Sequence, residues 1–257
     1  QINLLISLIK RLSLYNKMNS EVYILIPSRI GSTRLKNKPL IDLNGMTLIQ
    51  RVLSNSLEIN KNSFVATDSV KIKENIEQIS SNVVITSDQH ISGTDRIHEA
   101  ANKLNLDENT FILNLQGDEP FIPRQLIFDV INDFFSNECD VITVSNKISS
   151  NEEIDNPNCV LVETDNHSFA TKFVRTGEIN DPKRHIGIYG YKLSTLNKLV
   201  KLRPTPNELE LKLEQLRFLE NHYSIFVTHF NEEIPHGIDT SEDVVSAKEY
   251  LQNNEDI

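Results

Sequence analysis

The sequence predicts an α/β protein with a mixed, mainly parallel sheet and helices on both faces. Three observations carry this expectation. Short unbroken apolar runs at 22–26, 63–67, 83–85, 111–115 and 140–144 have the length and composition of buried parallel strands. The stretches between them carry apolar residues at helical spacing. The run ends turn polar at once, and ligands of such sheets bind at the carboxyl ends of the strands.

After the first run the chain becomes cationic, with Arg29, Arg34, Lys36 and Lys38 around Gly31, Ser32 and Thr33. Main-chain N–H groups, hydroxyls and cations in such a loop can wrap a polyphosphate. Neither G-x-x-x-x-G-K-[ST] nor G-x-G-x-x-G is present, so it is neither a P-loop nor a dinucleotide fingerprint. Residues 45–57 place Leu48, Ile49, Val52, Leu53 and Leu57 on one helical face. The strand at 63–67 ends in Thr67-Asp68, a short polar helix follows over 70–79, and 83–85 is the next strand. A polar loop over 86–96 leads to a helix carrying Ile97, Ala100, Ala101 and Leu104. Pro123 is suited to a helix's first turn, and Leu126, Ile127, Val130, Ile131 and Phe134 form that helix's apolar stripe.

From about residue 155 the pattern changes. Runs at 160–163 and 169–174 flank Asp165-Asn166 as a hairpin, 185–191 and 225–228 read as strands, and 208–219 as one helix. A final helix over 240–251 has Thr240 as N-cap with Asp243 three residues on. No linker rich in Gly, Pro or Ser divides the chain. Residues 1–17 read as a disordered or non-native extension: Lys10 and Arg11 break the apolar run 2–9, and Met18 is a natural start.

The net charge of -10 argues against a general nucleic-acid binder. No run approaches the eighteen apolar residues of a membrane span. Cys139 and Cys159 lack metal-ligand spacing and read as reduced thiols of a cytoplasmic protein.

Chemistry concentrates at two later acidic turns. Gln116-Gly117-Asp118-Glu119-Pro120 follows the fourth strand, and Pro235-His236-Gly237-Ile238-Asp239-Thr240 precedes the last helix. Magnesium takes one or two protein carboxylates and completes its shell with phosphate and water. Asp118, Asp239 and the cationic loop together suggest Mg2+-assisted nucleotidyl transfer.

These residues also carry a resemblance. The blocks are Ile26-Pro27-Ser28-Arg29-Ile30-Gly31-Ser32-Thr33-Arg34-Leu35 with Lys38-Pro39-Leu40, Ser92-Gly93-Thr94-Asp95-Arg96, and Asn114-Leu115-Gln116-Gly117-Asp118-Glu119-Pro120. Arg184-His185-Ile186-Gly187-Ile188-Tyr189-Gly190-Tyr191, Leu213-Glu214-Gln215-Leu216-Arg217 and Gly237-Ile238-Asp239-Thr240 complete the set. In this order they resemble the 3-deoxy-manno-octulosonate (Kdo) cytidylyltransferase family.

The resemblance implies a Rossmann-like nucleotidyltransferase fold over 18–257 as a single domain, with 155–230 its sugar-binding and dimerisation part. It implies a homodimer that joins CTP to Kdo, releases pyrophosphate and feeds lipopolysaccharide synthesis. Arg29, Ser32, Arg34 and Lys38 would hold the triphosphate, Arg34 and Lys38 would offset charge on the leaving group, and Asp118 and Asp239 would hold Mg2+. Ser92, Thr94 and Gln116 would belong to the nucleotide site. The sugar site would draw on Gln116, Arg175, His185, Tyr189, Glu214 and Gln215, with Arg175 suited to bidentate capture of the sugar carboxylate.

Some readings stay open at this level. Ser92, Thr94 and Arg96 can read the cytosine or ribose, or Ser92 and Thr94 can cap the next helix. Glu214 and Arg217 can instead be an exposed ion pair. Between Arg175 and His185 the chain has only nine residues where the family carries a longer stretch. That leaves a related acid, such as 8-amino-3,8-dideoxy-manno-octulosonate, as the alternative substrate. A glycosyltransferase with Asp-x-Asp at its metal and a non-catalytic sugar-nucleotide sensor fit the two separate carboxylates less well.

Overall fold

Strand β1 (Val22–Ser28) is flanked on both edges by parallel neighbours. Its central residues Ile24, Leu25 and Ile26 are fully buried, so both faces of the strand are covered. The computed structural model describes residues 21–31, 35–148, 153–154, 156 and 159–254. The extension 1–17 and Ser32, Thr33 and Arg34 of the cationic loop lie outside the described residues. The chain forms two compact units, one running to Ile122 and resuming at Pro235, the other Pro123–Ile234.

In the first unit a short 3-10 helix, Lys38–Leu40, follows the cationic loop. Strands β2 (Asp42–Leu43) and β3 (Met46–Thr47) then form a small antiparallel hairpin, whose second strand falls within the helix expected over 45–57. Gly45 turns it with φ +89°, a conformation other residues rarely adopt. Helix α1 (Leu48–Ile59) therefore starts at Leu48. A capping box fixes that start: Thr47 Oγ1 accepts from the Gln50 N–H, and Gln50 Oε1 accepts from the Thr47 N–H. Strand β4 (Ser63–Thr67), helix α2 (Val70–Ile76), strand β5 (Val83–Ile85), helix α3 (Gly93–Lys103) and strand β6 (Phe111–Asn114) follow. The strands pair in the order β6-β1-β4-β5, all parallel. Helix α3 begins at Gly93, earlier than expected, because Ser92 Oγ accepts from the Asp95 N–H and caps it.

The second unit opens with α4 (Arg124–Ser136), for which Pro123 is the N-cap residue and not the first helical one. It continues through β7 (Val141–Asn146), β8 (Leu161–Thr164), β9 (Ala170–Val174) and β10 (Lys183–Lys192). Helix α5 (Leu193–Leu199), absent from the sequence reading, comes next. The helix expected over 208–219 is two, α6 (Pro206–Leu211) and α7 (Glu214–Glu220), broken where Lys212 is left-handed at φ 54°. Strand β11 (Ile225–Phe230) runs parallel to β7, while β10 is antiparallel to β7 and β8, and β8 to β9. A register shift between Ile186 and Tyr189 bulges β10. The chain then rejoins the first unit as α8 (Ser241–Asn253), capped by Thr240 as expected.

Candidate active site

Three strand- and helix-end segments of the first unit bring Lys38, Asp118 and Asp239 together. Lys38 Nζ donates to Asp118 Oδ2 and to Asp239 Oδ1, each at 2.7 Å. The Lys38 side chain is 12% exposed, while the two carboxylates are 36% and 44% exposed, so the ammonium lies beneath an open acidic rim. Burial alone would lower the Lys38 pKa. The charge and hydrogen bonds of Asp118 and then Asp239 outweigh it and hold the pKa above its ordinary value.

The local sequence explains the convergence. The Ile238 N–H donates to the Asp118 carbonyl at 2.9 Å, tying the two acidic turns together. The Asp243 carboxylate accepts from the N–H groups of Asp239 and Thr240 at 2.8 Å each, fixing the residue before α8. Two glycines permit this closeness. A Cβ on Gly117 would lie 2.8 Å from the Pro27 carbonyl oxygen, and one on Gly237 would lie 2.8 Å from Glu119 Oε1.

Ser28, Arg29 and Gly31, from the end of β1, line a cavity of about 320 Å³ with Lys38, Asp118 and Asp239. A neighbouring cavity of about 180 Å³ shares the Pro27–Arg29 and Gln116 wall and adds His90, Ser92 and Arg96. Within it Ser92 is the α3 cap, and its hydroxyl also donates to Asp95 Oδ2 at 3.0 Å. Thr94 is buried in the helix's first turn. Arg96, 3% exposed, donates to Asp68 Oδ2 and Thr86 Oγ1, both at 2.7 Å, and so clamps the carboxyl ends of β4 and β5. Its guanidinium is structural here, which the sequence left open.

His90 and Glu99 were missed by the sequence reading. The Glu99 carboxylate contacts His90 Nε2 and Lys103 and accepts from the Ser87 N–H. Burial works against its charge, but the Lys103, Ser87 and His90 contacts prevail and bring its pKa to about 2. A Glu nine residues after a His was the available sequence signal, and only the turn into α3 gives it meaning.

The remaining predicted residues, apart from Gln116, belong to the second unit. His185 and Tyr189 are four apart on β10, a spacing of about 13 Å along an extended strand. The bulge brings their rings to 5.6 Å between centroids, and Phe173 stands edge-on to His185 at 5.2 Å. Though part of its surface is exposed, the imidazole is enclosed enough for burial to push its pKa down to about 3. It is therefore neutral at neutral pH.

Thr143 Oγ1 lies 2.9 Å from His185 Nε2 and donates to the Ile188 carbonyl at 2.8 Å. With its one proton given to Ile188, the hydroxyl receives from Nε2–H, leaving His185 Nδ1 as an acceptor. Burial, and then the Glu214 charge, raise the Tyr189 pKa well above the usual phenol range. Gln215 is 4% exposed on α7.

Arg175 Nε donates to the Leu211 carbonyl at 2.9 Å and Nη2 to the Lys212 carbonyl at 3.3 Å, so part of its fork is engaged at the end of α6. Arg217, offered with Glu214 as an exposed ion pair, has Glu208 as a partner. Arg217 Nε donates to Glu208 Oε2 at 2.7 Å, and Nη2 reaches Oε1 of the same carboxylate, because the αL turn at Lys212 folds α7 back on α6. Burial, then Asp140, pushes the Cys139 thiol to about 12, and burial also raises Cys159, in keeping with inert thiols.

No helix among the described residues is long and apolar enough to cross a membrane. The cytidylyltransferase family profile matches residues 23–234. The chain is 38% identical to 3-deoxy-manno-octulosonate cytidylyltransferase of Francisella tularensis subsp. holarctica, over 88% of this chain and 96% of the relative. It is 39% identical to the enzyme of the same name from Lawsonia intracellularis, over 86% and 91%. Among solved structures it is similar to CMP:2-keto-3-deoxy-manno-octonic acid synthetase complexed with CTP. There the TM-score is 0.84 at 28% identity, covering 91% of this chain and 99% of that one. The fold extends to 4-diphosphocytidyl-2C-methyl-D-erythritol synthase of Anaerococcus prevotii, with TM-score 0.58 at 16% identity over 91% and 100%.

Proposed function

The chain belongs to the cytidylyltransferase family, and within it to the 3-deoxy-manno-octulosonate cytidylyltransferases; from that premise we propose how its residues transfer CMP from CTP to the anomeric hydroxyl of Kdo. The observation that carries the reading is the convergence of one buried ammonium and two carboxylates beside the β1 end. The hydroxyl oxygen forms a bond to the α-phosphorus as the bond from that phosphorus to pyrophosphate breaks. Arg29 and Lys38, with Ser32 and Arg34 by sequence position, bind the phosphates and offset charge on the leaving group. Gln116 and the Ser92 turn border the nucleoside.

Asp118 and Asp239 would hold a divalent cation, Mg2+ in this proposal. Among the described residues no cluster of three or more His, Cys, Asp or Glu is built for a metal. Two hard carboxylates, completed by phosphate and water, are the donor set that Mg2+ accepts. When bound, the cation supplies charge neutralisation and acidifies the attacking hydroxyl.

In the second unit His185 Nδ1, Tyr189, Glu214 and Gln215 read the sugar, and Arg175 positions the turn that carries Glu214 and Gln215. A homodimer, a cytoplasmic location and supply of activated sugar for lipopolysaccharide belong to the same proposal. Sedimentation of the purified chain tests the dimer. The activity is tested by pyrophosphate release with CTP, Mg2+ and a panel of sugar acids. Kdo should be turned over fastest, ahead of its 8-amino form. Silence with Kdo, or faster turnover of another acid, overturns the assignment.

A further inference from the structure

The Lys38 bridge bears on how cation and nucleotide arrive. Asp118 Oδ2 and Asp239 Oδ1 both lie 2.7 Å from one nitrogen. Two carboxylates held so close repel unless a positive charge stands between them. A Mg2+ ion held by the same two carboxylates would compete with Lys38 Nζ for them. Where the ion takes the oxygens that Lys38 now holds, the two cations exclude each other. The ammonium must then move, and its mostly buried side chain needs a new anionic partner, because an unpaired charge there is costly. Arg29 and the β1 end line the same cavity, where a polyphosphate would supply that partner.

We propose that Lys38 is an internal counter-ion that a divalent cation displaces from Asp118 and Asp239 onto the nucleotide phosphates, so that cation and CTP bind with positive coupling. The inference rests on the nucleotide site proposed above and adds to it an exchange of one cation for another. Thermodynamic reciprocity then requires that CTP tighten the cation as much as the cation tightens CTP. Ordinary couplings of this kind are worth about fivefold to a hundredfold in affinity.

The test titrates the full chain with Mn2+ by electron paramagnetic resonance, with and without CTP and with no sugar acid, in wild type and Lys38→Met. Wild type should bind Mn2+ weakly alone and at least tenfold more tightly with CTP, after correction for Mn2+–CTP association in solution. Lys38→Met should bind Mn2+ alone at least tenfold more tightly than wild type and lose most of the coupling. Unchanged or weaker Mn2+ binding by the nucleotide-free variant overturns the proposal.

Acetic anhydride labelling of wild type, read by peptide mass spectrometry, gives a second measure that does not depend on the variant folding. Lys38 should be protected alone, labelled with saturating Mg2+, and protected again with Mg2+ and CTP. Protection that Mg2+ leaves unaltered overturns the exchange. Neither readout needs turnover, so a chain inactive with Kdo would fail the sugar-acid panel without deciding this experiment.

Discussion

The two units handle charge in opposite ways. In the first, the groups at the mouth of the site are ionic and open: Lys38 lies below, and Asp118 and Asp239 stand half-exposed at the rim. In the second, His185 and Tyr189 are neutral, and two of the unit's arginines are already engaged. His185 is uncharged, Tyr189 keeps its proton, Arg217 is paired with Glu208, and Arg175 is turned onto backbone carbonyls. On the proposed assignment of the sites, the difference suits the two substrates. A triphosphate needs mobile positive charge that can follow it to the transition state, whereas a polyol needs fixed donors and acceptors with one correct tautomer.

The largest effect that can break this comparison is expected at the rim. If they hold the cation as proposed, Asp118→Asn and Asp239→Asn should each lower CTP-dependent pyrophosphate release by about a thousandfold, as loss of a metal ligand does. The sugar-acid KM should move far less than the rate, since neither carboxylate is among the residues proposed to read the sugar. Near-wild-type rates in either variant would remove the ionic half of the contrast.

The ionic half was also the half most legible in the sequence. Lys38, Asp118 and Asp239 each follow or precede a strong element signal, and glycines mark the two close approaches. Strands β4 and β5 came out with the expected bounds because their apolar runs are cleanly punctuated. What stayed hidden was decided by backbone conformation that composition does not announce. The β2–β3 hairpin depends on a left-handed Gly45, and the α6–α7 break on a left-handed Lys212, a residue that ordinarily favours helix. The β10 bulge that brings His185 to Tyr189 has no period-two signature. The role of Arg96 stayed open because its partner Asp68 is 28 residues away in sequence.

A smaller effect sharpens the neutral half. The His185 imidazole titrates near 3 in the folded protein and near its ordinary value of 6.5 when unfolded. Its contribution is therefore full above about pH 6.5. It is lost as the pH falls toward 3, because the unfolded chain takes up a proton that the native state refuses. Urea midpoints at pH 7 and pH 5 should show wild type losing about 1–2 kcal/mol more stability than His185→Gln over that interval. Equal losses would mean that His185 is charged in the native state, and the site would no longer be neutral.

The smallest effect is expected at Arg175, and it separates a ligand from a brace. Its guanidinium meets the Leu211 and Lys212 carbonyls at the end of α6, where helix carbonyls lack partners and a cation is favoured. Arg175→Met should thus cost about 1 kcal/mol in urea denaturation. Through the displaced turn before Glu214 and Gln215, it should raise the sugar-acid KM by less than about tenfold, with the CTP KM unchanged. A brace predicts that Arg175→Lys, which keeps the charge near the carbonyls, recovers most of the lost stability. If Arg175 instead gripped the sugar carboxylate directly, Met would raise that KM a hundredfold with stability intact, and Lys would not restore a bidentate contact.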